Sequence, residues 1–446
     1  MDADGRGGGA GAAGRSPEEL VAERGRPGEL NALWRRLERT GGCRQPIRLR
    51  ATSHDGGYSS RGEPDGVLLV ACGSRHVSRC PSCAATYRGD ARQLVLAGLC
   101  GGKGVAESVA GHPMVFFTLT GPSFGAVHAA RPGPCHLGPP GECPHGRRRH
   151  CLLRHGRDEE VVGSPLCPEC FDYVACVAFN AAAGELWRRV AIYAFRHLAY
   201  RLGVTEKELR ARVRLAFVKV TEFQRRGVVH LHGVLRADAA GDELAPGGVT
   251  TDALAEALVR AVQQVRLRRT IGERELVLAF GGQLRVDPLD PVGAPRIASY
   301  VAKYASKGVE QTGVLDRRLR EDQLERLELP EHLRRLVATA FALAKDPAHA
   351  RCARWAHALG WSGHVLTKSR RFSTTFCALR RARREWRVAD AGEAPPTGTT
   401  IWTFEGVGHR CQIDRMLARG VEERVQTARL ERWLQWREPA PAGAAA

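Results

Sequence analysis

The tightest constraint on this chain is a pair of apolar, β-branched runs, Val213–Phe223 and Val228–Leu235, joined by Arg225-Arg226-Gly227. A three-residue loop closed by a left-handed glycine makes an antiparallel hairpin and sets Gln224 opposite Val228. Counting back from the turn, Glu222 falls directly across from His230. Strand side chains alternate, so His230 and His232 point to one face, roughly 6.5–7 Å apart along the strand. Glu222 shares that face. Two imidazoles and a carboxylate suit a divalent cation such as Mn2+ or Mg2+, with positions left open for phosphate oxygens. A His-x-His strand also arises as a solvated sheet face; the carboxylate in register is what favours a metal site.

A second constellation lies in Ile297–Lys307, which has helical periodicity. Tyr300 and Tyr304 sit at i and i+4 on one face, as do Lys303 and Lys307. A phenol can attack a phosphodiester and leave a phosphotyrosine linkage. Lys303 would add positive charge at the scissile phosphate, and Lys307 would contact DNA. An amphipathic helix with buried rings and snorkelling lysines would read the same in isolation.

Residues 121–168 are rich in Gly, Pro, His and Cys and show no regular period. A loop of that length needs something other than an apolar core to order it. The chain has 14 cysteines, and in a reducing compartment clustered cysteines hold metal more readily than they form disulfides. Cys80-Pro81-Ser82-Cys83 and Cys167-Pro168-Glu169-Cys170 are tight knuckles of the kind that bind zinc, and together they make one complete four-cysteine site. Cys72, Cys135, Cys143 and Cys151, with His145, His150 and His155, supply a second structural Zn2+ site or replace part of the first; the pairing stays open. Buried free thiols with surface histidines are the alternative.

Net charge is +19, with only seven lysines against sixty arginines. An arginine bias alone need not leave acids so outnumbered, so the charge points to nucleic acid. Lys368, Arg370 and Arg371 interleave with Phe372 and Phe376 in a candidate DNA contact. No apolar run approaches the roughly 20 residues of a membrane span, and the N-terminus lacks a signal-peptide core. A cytoplasmic, membrane-free bacterial protein is expected. No G-x-x-x-x-G-K-[ST] motif occurs; Gly101-Gly102-Lys103-Gly104 lacks the spacing and the hydroxyl. ATP hydrolysis is therefore not expected, and unwinding would fall to a host helicase.

Taken together, the motifs resemble the HUH nucleases, and more closely the two-tyrosine rolling-circle initiators. Phe117-Thr118-Leu119-Thr120 matches the first family motif, His230-Leu231-His232 the second and Tyr300-Val301-Ala302-Lys303-Tyr304 the third. Over residues 65–385 the chain is similar to RepSA-type initiators of actinomycete plasmids and integrative elements, through Cys80–Cys83, Phe117–His128, Glu222–His232 and Leu366–Phe376. The resemblance implies that one tyrosine nicks a single-stranded or hairpin origin site, keeps the 5′ end and leaves a 3′-OH primer. It implies Tyr300 as first attacker and Tyr304 for the second transfer, which releases a circle. The long Cys/His stretch after the first motif departs from the minimal family pattern.

The expected fold is α+β: a central antiparallel sheet of HUH type with helices packed on it, a zinc-bound Cys/His-rich insertion and a helical C-terminal region. The expected parts are a flexible tail with a short helix (1–45), a zinc-binding segment around the first core strand (65–175), a nuclease core (112–310) and a helical region with a candidate DNA-binding role (311–446). Two rivals stand beside the nickase. A relaxase or transposase would use the same chemistry, although a relaxase tyrosine usually precedes the histidines. A zinc-containing DNA-binding regulator would explain charge and knuckles but not Glu222, His230, His232 and the tyrosines.

Overall fold

The computed structural model describes residue 22 and residues 28–241, 248–307, 318–391 and 397–435. The expected flexible tail falls in residues 1–27, which apart from residue 22 lie outside the described residues. The chain forms two units: Tyr87–Arg387, and a second assembled from residues up to Thr86 and from Val388 onward. In chain order the strands are β1 (Ile47–His54), β2 (Leu68–Val70), β3 (Met114–Thr120), β4 (Val213–Phe223), β5 (Val229–Ala239), β6 (Leu267–Ile271), β7 (Arg274–Leu278), β8 (Leu284–Pro288), β9 (Leu366–Lys368) and β10 (Thr399–Val407). Among the described residues no helix is long and apolar enough to cross a membrane.

The described residues of the unit formed by the segments up to Thr86 and from Val388 onward make a three-stranded antiparallel sheet, β10-β1-β2, with helices Glu29–Arg39 and Gln412–Gln435. Its apolar centre is Leu33, Leu37, Val67, Leu69, Ala418 and Val421. The expected helical C-terminal region holds helices Glu331–Leu343, Phe376–Ala391 and Gln412–Gln435, with two strands among them. Thr399–Val407 is a strand, and its β-branched and aromatic content favours one, but its partner β1 lies far away in sequence. β9 is too short to show a period of its own and exists by pairing with β4, Val218 opposite Lys368. Residues 318–387 therefore belong with the Tyr87–Arg387 unit.

That larger unit is built on a five-stranded antiparallel sheet, ordered β8-β3-β5-β4-β9. Its two faces differ. On one, helix Tyr173–Arg201 buries Trp187, which stacks on Phe117 of β3 (4.7 Å between centroids) and meets Phe217 of β4 edge-on at 5.2 Å. Gly233 of β5 lies opposite Phe117, and a Cβ there would come within 2.5 Å of the Phe117 ring and 2.4 Å of the Val218 carbonyl. On the other face, helix Ala294–Lys307 packs against the sheet through Tyr300, which meets Phe116 edge-on at 5.6 Å.

The hairpin turn has the geometry that its sequence favours. Gly227 has φ 78°, the Gln224 amide donates to the Val228 carbonyl at 2.9 Å and the Gly227 amide to the Gln224 carbonyl at 2.8 Å. Asn180, fully buried in helix Tyr173–Arg201, donates to the Gly227 and Leu359 carbonyls at 2.8 and 3.1 Å and accepts from the Val229 amide at 2.9 Å. One side chain so ties the turn to the helix below it. Asn180→Ala should leave three buried backbone groups short of a partner and cost about 3 kcal/mol, read as a lower midpoint in urea unfolding.

Lys219 of β4 is 7% exposed, on the face covered by Trp187, and burial pushes its ammonium down to about 8. The unfolded chain, with an ordinary lysine pKa near about 10.4, binds more protons between those values. Stability therefore rises with pH through that window, and the cost of burying the amine is fully present below it. Lys219→Met should abolish that rise and add about 2 kcal/mol at neutral pH, checked by urea unfolding across pH 7–10.

Candidate metal and tyrosine site

Pairing of β4 with β5 puts Glu222 opposite His230 and Val220 opposite His232. Pairing of β3 with β5 puts Thr120 opposite His230 and Thr118 opposite His232. The carboxylate, both imidazoles and two threonines therefore share the face over which helix Ala294–Lys307 lies. His230 and His232 stand edge-to-face with centroids 4.4 Å apart. His232 Nε2 is 3.4 Å from Glu222 Oε2, and its Nδ1 is 3.0 Å from Thr118 Oγ1. A hydroxyl held at one ring nitrogen restrains the orientation of the ring and so of the other nitrogen.

The helix delivers both phenols to the same place. The Tyr300 ring lies 5.2 Å from that of His232, the Tyr304 ring 5.0 Å, and the two tyrosine rings are 4.6 Å apart. Ala298, Val301, Ala302 and Ala305 are buried, which turns Tyr300 and Tyr304 towards the histidines rather than solvent. Lys303 is exposed on this helix, and the side chain of Lys307 lies outside the described residues.

Burial sets the charge of one imidazole at the site. Burial, helped by the neighbouring His232 and Arg226, pushes the His230 imidazole down to about 3. It is neutral at physiological pH, the form that binds a cation. Its Nδ1 is buried without a hydrogen-bond partner, so the donor set fits a metal that would use such an atom. Burial, a hydrogen bond with Tyr304 and the nearby Glu222 raise the Tyr300 phenol above its ordinary value.

Among the described residues three tighter groups lie elsewhere, each with all ligand atoms within 4.8 Å of one another: Cys43, Cys72, Cys80 and Cys83; His128, Cys135, Cys151 and His155; and Cys143, His145, Cys167 and Cys170. Each can hold a metal such as zinc. The two knuckles thus do not share one four-cysteine site. Cys80 and Cys83 open the helix Pro81–Cys100 and gather Cys43 and Cys72, whereas Cys167 and Cys170 end the irregular stretch and gather Cys143 and His145. Cys135 and Cys151 fall in the remaining group with His155. His150 is in none of the three, and the sequence reading missed Cys43 and His128. Cys43 has no neighbouring cysteine to mark it, but the four candidate cysteines left over after the two knuckles, Cys72, Cys135, Cys143 and Cys151, were a signal that one four-cysteine site did not account for the set.

The basic-aromatic segment is only partly a surface. Phe372 is fully buried, with the Arg236 guanidinium 5.0 Å over its ring, and Phe376 stacks on Tyr87 at 5.1 Å. Lys368 turns its ammonium onto the Ser369, Arg370 and Ser373 carbonyls at 3.3, 3.2 and 2.7 Å. Arg370 and Arg371 are exposed. Alternating charge and rings here mark a strand end and a packed turn as much as a contact surface.

A family model described as RepSA, "Replication initiator protein, pSAM2", matches residues 29–423. The chain belongs to the RepSA family of replication initiators. A curated "Replication initiator protein" of Streptomyces ambofaciens is 38% identical over 437 residues, covering 89% of this chain and 92% of that one. No solved structure matches the chain. The family match takes in Glu222, both histidines, both tyrosines and all three Cys/His groups, so none of these lies in a segment outside it.

Proposed function

We propose that this RepSA-family chain nicks one strand of an origin DNA by tyrosine transesterification of the HUH type, to start rolling-circle replication. The observation that carries the reading is the placement of both phenol rings about one His232 ring, on the face shared with Glu222 and His230. Glu222, His230 and His232 would hold a divalent cation, Mn2+ or Mg2+, which when bound supplies a Lewis acid for a non-bridging phosphate oxygen. Thr118 orients His232. Tyr300 Oη attacks phosphorus, the P–O3′ bond breaks, and the phenol's proton is balanced by the one the 3′ oxygen gains. The products are a 5′-phosphotyrosine and a 3′-OH. Tyr304, beside it, attacks the regenerated junction in the same way, and the 3′-OH so freed attacks the Tyr300 phosphotyrosine, breaking the P–Oη bond, returning the proton to Tyr300 and closing the displaced strand as a circle. Lys303, with Arg370 and Arg371, would meet the DNA backbone, and the excess of basic residues would draw the duplex in. Without a phosphate-binding loop for ATP, strand separation falls to a host helicase.

Labelled single strands tiling the element's origin, incubated with the full chain and Mn2+, should yield a covalent adduct on a denaturing gel. The adduct should vanish with EDTA and with His230→Ala, and Tyr300→Phe should abolish the first cleavage while Tyr304→Phe should spare it. A shifted but uncut strand in every lane would instead identify a DNA-binding regulator.

Thr118→Val keeps the shape of β3 but removes the partner of His232 Nδ1. The Mn2+ concentration giving half-maximal adduct should rise by about 10–100-fold, with the urea midpoint little changed; an unmoved Mn2+ dependence would exclude the orienting role.

A further inference from the structure

We propose that the chain holds three zinc ions, and that the two within residues 128–170 are cross-braced, so that neither of those sites forms without the other. The proposal is independent of the nicking chemistry. It starts from distances. Tetrahedral zinc with Zn–S near about 2.3 Å and Zn–N near about 2.0–2.1 Å sets two sulfurs about 3.8 Å apart, sulfur and nitrogen about 3.6 Å, and two nitrogens about 3.3–3.4 Å. Cys43 Sγ lies 3.8 Å from Cys80 Sγ and 3.6 Å from Cys83 Sγ. His128 Nδ1 is 3.3 Å from His155 Nε2 and 3.5 Å from Cys135 Sγ, and His155 Nε2 is 3.5 Å from Cys151 Sγ. His145 Nδ1 lies 3.3, 3.6 and 4.0 Å from Cys170, Cys167 and Cys143 Sγ. All of these cysteines are free thiols, so none of the spacings comes from a disulfide.

The tautomer of one ligand agrees. His155 Nδ1 is 2.7 Å from Glu159 Oε2. A carboxylate only accepts, so Nδ1 donates and Nε2 turns its lone pair to the centre of the group. Histidine ligands of zinc carry this kind of outer carboxylate. One donor set has four thiols, one has two thiols and two imidazoles, and one has three thiols and an imidazole. All are closed and sulfur-rich, which selects zinc over oxygen-seeking cations.

Ligand order along the chain gives the coupling. The successive pairs are His128 with Cys135, Cys143 with His145, Cys151 with His155, and Cys167 with Cys170. The first and third pairs make one group, the second and fourth the other. The loop joining the two pairs of one ion therefore contains a pair of its neighbour's ligands: Cys143 and His145 lie between Cys135 and Cys151, and Cys151 and His155 between His145 and Cys167. Short pairings bind the crossing segments, such as His136 with Cys151 and Val127 with Pro165. Apolar residues give little help: Leu137, Leu152 and Leu153 are 70%, 64% and 67% exposed. With no core to fold the segment in advance, closing one site is what brings together the ligands of the other. The Cys43 group, in the other unit, shares no loop with them.

Metal content of the purified full chain, measured by mass spectrometry, should be three zinc per chain. Cys151→Ser and Cys143→Ser should each drop it to one, although each removes a ligand of only one ion, while Cys72→Ser should drop it to two. His155→Cys, which keeps four donors, should restore three. A Cys151→Ser protein that keeps two zinc ions overturns the coupling, and a wild-type content below three overturns the stoichiometry. Because a variant can unfold more widely, the wild type is also titrated with a chelator. Two zinc ions should leave in one cooperative step, together with new trypsin cleavage at Arg147–Arg149, and the third in a separate step. Three independent losses would refute the cross-brace.

Discussion

Backbone pairing of β4 with β5 is the interaction on which the site depends. Only in this register does Glu222 meet His230, with Val220 across from His232. A slip of one residue would turn the carboxylate to the opposite face of the sheet, among Phe117, Phe217 and Trp187. The register is held at the turn by Gly227 and Asn180, and along the strand by Gly233, where any side chain would strike Phe117. The apolar face thus fixes the ladder, and the ladder places the polar residues on the other face. Stability and site geometry are parts of one arrangement.

The register of Glu222 against His230 was legible in the sequence because a hairpin is local: a loop of known length and one left-handed glycine determine which residues face each other. Helix Ala294–Lys307 was legible for the same kind of reason, with four buried positions setting the direction of two tyrosines. What escaped notice depends on distant partners. β1 and β10 join residues from opposite ends of the chain, and neither Ile47–His54 nor Thr399–Val407 declares its partner. β9 draws its conformation from β4. Phe372 read as a surface ring because its alternation with arginines resembles a binding strip, yet Gly98 of helix Pro81–Cys100 leaves the space that the ring fills.

The cysteines follow the same rule. Each knuckle, being local, was legible; the assignment of knuckles to groups was not. A Cys-Pro-x-Cys turn presents two thiolates, and any second pair of donors completes the tetrahedron. Cys43 and His128 carry no local mark. In residues 121–168 the connections are isolated bridges and turns rather than strands, so backbone regularity does not organise the segment, and the two Cys/His groups are what could. That segment reaches the hairpin turn, where Arg225 donates to the Glu159 carbonyl at 2.9 Å and Arg226 to those of Gly121 and Pro122 at 2.9 and 2.8 Å. Order in the Cys/His stretch and position of the turn below Glu222 and His230 are thereby linked.

The two kinds of donor set also differ in the chemistry they allow. Among the described residues the three Cys/His groups draw four ligands within 4.8 Å of one another, and Glu222, His230 and His232 do not form such a group. A four-ligand sulfur-rich set closes around its ion and leaves no place for a substrate, which suits a structural role. A set of one carboxylate and two imidazoles, on the side where Tyr300 and Tyr304 lie, would leave coordination positions for phosphate oxygens. If all four sets were closed, the chain would be a stapled DNA binder; if all were open, residues 121–168 would lack the closed donor sets that could staple them. Separation of closed from open sets within one chain is what the proposed nickase requires, because the ion that reacts must admit DNA and the ions that fold must not.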